Sequence, residues 1–472
     1  MKALKKLKIN KLFLESSTYI ILSFAQKGLS FILVPFYTFF LSTEEFGLVN
    51  QIVSLHAIYI VVITFSLNET IAKGMANVDP KDVDKVKINI VVPNLLMVAL
   101  GAILLFSLKW FFYDEFLGEL DWLHTSCSIV IVMFTPIFFI YQKFLIMQRK
   151  PMFYAKTMIS FVLIQIILSL VFIYIFDLGS LGYILTLAVN AAIYGVLSYS
   201  KLLVFNSSLI NKEEIKNHLS YSLKLVPHGI FGWGINGFTN VALGNMISVS
   251  AVGILNAVNV VGVFVNVVSK AILDAFQPWI YEQLRTNKGD ATTVKNIVRI
   301  LSILMVIMGI FLMSVDDLIL KIVLNKNYHG GIKYAPFLIL NSVIIAIGSM
   351  TVYVIYFYEN KVKFVSISTI IGAVINMSLG YFLIKEYELM GAITALIIAN
   401  FIINLIKSSV SSRIIKKSYN LLELWIIIYL VTFVNYLYDE YAIYLNVFLV
   451  LYLLLRLYLI LRAMKKLKTS KD

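Results

Sequence analysis

Charge is scarce in this 472-residue chain: Asp, Glu, Lys and Arg make up 14% of it, against about 25% in soluble domains. With 60% hydrophobic residues, that shortage excludes an ordinary globular core and leaves no length for a soluble domain. Cysteine is nearly absent. Cys127 stands alone, which excludes an internal disulfide and a cysteine-based metal site. The five histidines, His56, His124, His218, His228 and His329, share no ligand spacing, and no metal site is expected. Proline is sparse, and Pro35 and Pro136 fall inside apolar runs, where membrane helices tolerate kinks. There is no G-x-x-x-x-G-K-[ST] loop for nucleotide hydrolysis and no long polar loop to hold catalytic residues. An enzyme is not expected.

Long apolar runs are what the chain has in quantity. Fourteen segments, about 16–41, 47–72, 88–109, 122–146, 154–176, 181–203, 223–247, 251–276, 294–315, 334–357, 364–385, 389–409, 421–438 and 441–462, each approach the roughly 20 apolar residues of a spanning helix. The first follows a basic start, MKALKKLKINK, but is too long for a signal-peptide core and reads as a retained helix. With the N-terminus inside the cell, 34 of the 40 Lys and Arg lie at inside loops or ends, and five lie outside. Cytoplasmic loops retain basic residues, so the expected fold is an all-α membrane protein of about 14 transmembrane helices with both termini cytoplasmic. The net charge of +14 then sets topology and meets anionic membrane lipid, and nucleic acid is not an expected partner.

The chain also repeats itself. LSTEEFGLVN (41–50) aligns with ISVSAVGILN (247–256), KPMF (150–153) with KVKF (361–364), and LGYILTLAV (181–189) with MGAITALII (390–398). Three matches in order at nearly constant offset indicate two parallel six-helix repeats, 1–210 and 211–415. Two extra helices and a basic tail follow over 416–472. Parallel repeats about an axis along the membrane normal are a transporter architecture with substrate between the halves.

Polar residues inside hydrocarbon are costly and mark function. Lys27, the one basic residue assigned to neither a loop nor a segment end, shares a helix face with Ser16, Ser23, Ser30 and Tyr37. It either faces a cavity or pairs with a neighbouring helix, for instance through Glu69. The seventh segment carries Lys224, His228, Gly232, Asn236 and Asn240 at four-residue spacing, and the eighth carries Asn259, Asn266, Lys270 and Asp274. These are cavity candidates, though amides and glycines also glue membrane helices together. Lys270 and Asp274 are one turn apart and can pair, as can Glu69 and Lys73, while Lys224 near the interface can snorkel. Gly232-Trp-Gly234-Ile-Asn-Gly237 fits G-x-G-x-x-G literally, but without a preceding strand it reads as helix-packing glycine.

LVPFYTFFLSTEEFGLVNQI (33–52) resembles the first-to-second helix junction of the bacterial Wzx-type polysaccharide flippases. These form the polysaccharide transporter branch of the multidrug/oligosaccharidyl-lipid/polysaccharide exporter superfamily. Pro35, Tyr37, Thr38, Leu41, Ser42, Glu45, Phe46 and Gly47 match the pattern. The block at 223–264 resembles the seventh-to-eighth helix region, departing at Asn256 and Asn240, and AFQPW (275–279) resembles the close of the eighth helix. The resemblance implies alternating-access flipping of lipid-linked oligosaccharide on an undecaprenyl pyrophosphate across the bacterial cytoplasmic membrane, to supply O-antigen, capsule or exopolysaccharide. Lys27, Lys270 and Lys224 or His228 would then meet the pyrophosphate, and the asparagines the sugars. A polysaccharide polymerase and a chain-length regulator are the implied protein partners. No cofactor is implied, and a proton or sodium gradient is the candidate energy source. Two other readings stand beside it: a cation-coupled multidrug exporter needing cavity acids, for which Glu69 and Asp274 are the candidates, and a non-transporting scaffold for assembly enzymes.

Overall fold

A computed structural model describes residues 33–75, 78–79, 82–148, 150–204, 206–286, 291–358 and 361–469. Nearly all of them are helical, and none lies in a strand. Among them, nine helices are long and apolar enough to cross a membrane, or ten if one bent pair counts as a span. The chain is a multi-pass helical membrane protein. Most of the first apolar segment, with Lys27, lies outside the described residues.

The helices fall into two compact units, Phe40–Gly253 and 33–39 with 254–469. The first unit begins at the end of α1 (33–40) and contains α2 (Thr43–Thr64), α3 (Val83–Ser107), α4 (Trp122–Met147), α5 (Pro151–Ser169) and α6 (Gly179–Leu202). It continues through α7 (Lys212–Leu223) and α8 (Val226–Met246) into α9 (Val249–Val258). Ser42 starts α2 with a capping box: its hydroxyl accepts from the Glu45 N–H at 3.1 Å while the Glu45 carboxylate accepts the Ser42 N–H at 2.8 Å. The Ser-x-x-Glu of the LSTEEFG run is therefore a helix start. In the same way Ser248, which aligns with Ser42, accepts from the Ala251 N–H at the head of α9.

The glycine of that run is explained by a close crossing. A Cβ on Gly47 would stand 1.9 Å from the Val249 carbonyl oxygen, and one on Gly253 would stand 2.0 Å from the Thr43 carbonyl oxygen. Gly47 aligns with Gly253, and Thr43 with Val249, so the two aligned stretches pack on each other reciprocally. Thr43 and Ser250 join the crossing by a hydroxyl–hydroxyl hydrogen bond. Deeper in the unit, Phe138, Phe161 and Tyr194 stack at centroid distances of 5.0–5.3 Å and tie α4, α5 and α6.

The stretch NKEEIKNH, which reads as loop in sequence, forms most of α7. Asn211 caps it by accepting from the Glu213 and Glu214 N–H groups, and the two acids suit the positive N-terminal end. Asn89 of α3, fully buried, takes the Asn211 N–H at 2.8 Å and donates to Glu214 and the Leu209 carbonyl. One amide thus latches α7 to the bundle.

In the second unit α10 (Val260–Thr286), α11 (Ala291–Met313), α12 (Ala335–Phe357), α13 (Lys363–Ile415), α14 (Leu422–Leu437) and α15 (Asp439–Thr469) follow. The span that includes α12 is 89% buried and forms the centre of this unit, whereas that of α15 is 17% buried and lies at its edge; in the first unit the α5 span is likewise 17% buried. The 53 residues of α13 are two helices joined at Glu388, whose φ of 48° is left-handed. Gly391 permits the turn, since a Cβ there would meet the Leu383 carbonyl at 1.9 Å. The expected outside loop at 316–333 is ordered as a short helix, Asp316–Val323, and a 3₁₀ turn, Lys326–Tyr334.

Candidate functional site

The polar stripe of the seventh segment does not stay on one face. Each four-residue step advances about 40° around a helix, so Lys224 and Asn240 end on nearly opposite sides. Lys224, His228 and Asn236 are exposed. Asn240 instead turns into the unit and donates to the Ser54 hydroxyl of α2 at 2.9 Å. Two turns nearer the α8 start, the Trp233 indole N–H donates to the Ser54 carbonyl at 2.7 Å. Gly237 gives that ring its place, because a Cβ there would lie 2.1 Å from the indole nitrogen. Gly244 admits Gln51 and Gly229 admits Val61 in the same way, whereas a Cβ on Gly232 would meet nothing within 4 Å, so that glycine, expected to pack helices, is not a packing contact. Lys224 stands at the break between α7 and α8, with its backbone capping α7.

Glu69 and Lys73 do not pair with each other. After Thr64, Phe65 and Ser66 take consecutive left-handed conformations, φ 47° and 54°, a strained reversal of a kind found at functional sites. Leu67 and Ile71 then anchor a short turn in the core, which points the charged residues outward. Glu69 accepts from Lys143 of α4 at 2.6 Å, and the Lys73 ammonium lies 4.3 Å from the centre of the Tyr221 ring on α7. The 3₁₀ turn that carries Glu69 breaks the regular spacing on which the expected one-turn pair rests. His218 of α7 packs against Gly74. Burial pushes its imidazole below the ordinary range, with Glu214 pulling it up and Lys73 pushing it further down.

In the second unit Asn259 sits at the 44° bend between α9 and α10. Asn266 donates to Ser342 of α12 at 3.4 Å, across a contact that Gly262 keeps close. Asn400 to Asn341 at 2.9 Å and Asn404 to the Ile344 carbonyl at 2.7 Å continue the amide seam between α12 and α13. Amides here glue helices. Lys270 is exposed, and the Asp274 side chain lies outside the described residues, as does Lys27.

Three polar residues were passed over in sequence. Gln51 and His56 of α2 and Asn94 of α3 are 1%, 3% and 0% exposed. Both side-chain polar atoms of each lack a hydrogen-bond partner among the described residues. An unpaired polar group in a membrane core is expensive and marks a functional position by default. The signal for His56 was its place in mid-segment, which counts for more than its distance from other histidines.

The comparisons fit this geometry. Residues 13–284, more than half of the chain, match the model of the family described as "Polysaccharide biosynthesis protein". The chain belongs to that family. No curated protein matches it. Solved structures similar to this family member include the lipid II flippase MurJ in an inward closed conformation. That match has a TM-score of 0.66 at 12% identity, over 92% of this chain and 97% of that one. An inward-facing multidrug resistance MATE transporter of the MOP superfamily matches with a TM-score of 0.65 at 13% identity, over 84% and 98%. The MATE multidrug transporter DinF-BH matches at 0.58 and 16% identity, over 86% and 96%. At such identities the likeness shows the fold, that of the MOP-superfamily transporters. This member of the polysaccharide biosynthesis family thus has the fold of those transporters.

Proposed function

We propose that the protein flips a lipid-linked oligosaccharide, carried on a polyprenyl pyrophosphate, across the bacterial cytoplasmic membrane by alternating access, without catalysing a covalent step. The observation that carries this reading is an exposed polar series, Lys224 at the break before α8 and His228 and Asn236 on α8 itself. It presents a cation just before, and an imidazole and an amide along, a helix whose other face is fixed to α2 by Trp233 and Asn240. Such a row suits a pyrophosphate followed by sugar hydroxyls. Multidrug export by cation coupling would want a free acid, and the described acidic candidate, Glu69, is held by Lys143. The polymerase and chain-length regulator that use the flipped product are the expected partners.

The test is translocation of a fluorescent lipid-linked oligosaccharide in proteoliposomes. K224A/H228A should lower the initial rate about tenfold or more, the loss of roughly one charge-assisted contact, with the protein still inserted and folded. An unchanged rate would remove the stripe from the mechanism. Normal surface polysaccharide in a deletion strain, together with new drug sensitivity, would favour the exporter instead.

A further inference from the structure

A second cationic feature lies in the first unit, away from the α8 stripe. Between the basic ends of α3, α4, α5 and α6 is a pocket of about 210 Å³, lined by Lys87, Lys150, Lys201, Gln148, Phe144 and Phe153 among others. Lys87 is engaged by Asp84 at 2.7 Å. Lys150, Lys201 and the Gln148 side chain have no polar partner among the described residues, and no carboxylate lines the pocket. Three ammonium groups around an aromatic floor make a site for a phosphate anion.

The surroundings say where that phosphate comes from. From the pocket mouth, Met152, Ile159, Leu163 and Ile167 run along α5 at helical spacing, each about half exposed or more. The α5 span is 17% buried, so this lane faces lipid. A basic pocket at a helix-bundle end beside an apolar lane is the arrangement that holds anionic lipid head groups. We propose that the pocket binds the phosphate of an anionic membrane phospholipid, with its acyl chain along α5. The transported substrate is not needed for this site, and the inference stands apart from the flipping mechanism.

The experiment uses the full chain in phosphatidylcholine nanodiscs doped with phosphatidylglycerol, with native mass spectrometry counting the phosphatidylglycerol that stays bound. K150Q/K201Q should weaken retention about 30-fold, taking each lysine near the surface at the usual strength. K150R/K201R should restore retention, and K212Q/K216Q, which removes equal charge from the exposed face of α7, should leave it unchanged. Soluble glycerol 3-phosphate should fail to displace the lipid. Undiminished retention in K150Q/K201Q, equal loss in K212Q/K216Q, or displacement by glycerol 3-phosphate at lipid-like concentration would each overturn the proposal. Loss in K150Q/K201Q that the arginine pair does not restore would do so as well.

Discussion

Single residues carry unusual weight in this molecule because its helices approach so closely. A methyl group on Gly47 has nowhere to go, as the obstacle is the backbone of α9 and no side chain can swing away. G47A should destabilise the protein by about 1–3 kcal/mol, the range for overpacked contacts, read as a lower thermal midpoint in detergent. His56 makes the opposite case. Its two ring nitrogens are buried without partners among the described residues, so H56L should raise stability by about 1–3 kcal/mol, the penalty of an unsatisfied buried group. Transport should fall in the same variant if the ring works during the cycle. A variant that is more stable and fully active would make His56 a relic of packing. His218 supplies a pH dependence. Its folded form holds protons less readily than the unfolded chain, so below the ordinary histidine value of about 6.5 the unfolded state takes up more protons. Stability around α7 is therefore present above that range and declines on acidification. Proteolytic cutting in α7 should increase from pH 7.5 to 5.5, and H218N should flatten the trend.

At the scale of elements, the two last helices depend on one carboxylate. Glu423 of α14 accepts from Arg299 of α11 at 2.8 Å, from two nitrogens of Arg456 of α15 at 2.7 and 2.9 Å, and from the Tyr452 hydroxyl at 2.6 Å. E423Q leaves two guanidinium groups short of an anion. The carboxylate side chain is 26% exposed, so the cost should lie near 1–3 kcal/mol, below that of a fully buried pair. Hydrogen exchange should show α14 and α15 loosening before α12. How far these elements could be read from sequence varied with the signal available. Apolar length locates the spans, and Ser42, Glu45 and Gly47 are legible in the sequence as part of a helix junction. The α7 helix was hidden because its polar residues match loop composition, and its latch, Asn89, sits in another segment. The Glu69 pairing failed for a related reason. Helical spacing holds only while the backbone stays helical, and nothing in the letters Phe65-Ser66 announces two left-handed residues. The stripe on α8 was legible as a set of residues but not as two faces, since a four-residue period drifts against a 3.6-residue helix.

For the whole molecule the charge sorting makes a testable statement about orientation. Cys127 is buried, so single cysteines introduced elsewhere can be probed on a C127A background. E119C should react with an impermeant maleimide in intact cells, and K212C only in inside-out vesicles. The reverse pattern would invert the topology. The packing and the repeat also divide the chain differently. The boundary expected from the aligned stretches falls at 210/211, whereas the compact units follow contact, and α8 with the start of α9 packs in the first unit.

The reciprocal glycine crossing bears on how the protein is made. Its two sides are separated by 206 positions, the distance from Gly47 to Gly253. At about 5–20 residues per second, α2 waits in the bilayer for tens of seconds or so before its partner leaves the ribosome. During that interval the glycine face of α2 and the polar groups of Gln51 and Ser54 have only lipid, or a waiting insertase, for company. Completion of the first unit is thus a late event in biogenesis, set by the arrival of the α9 side of the crossing.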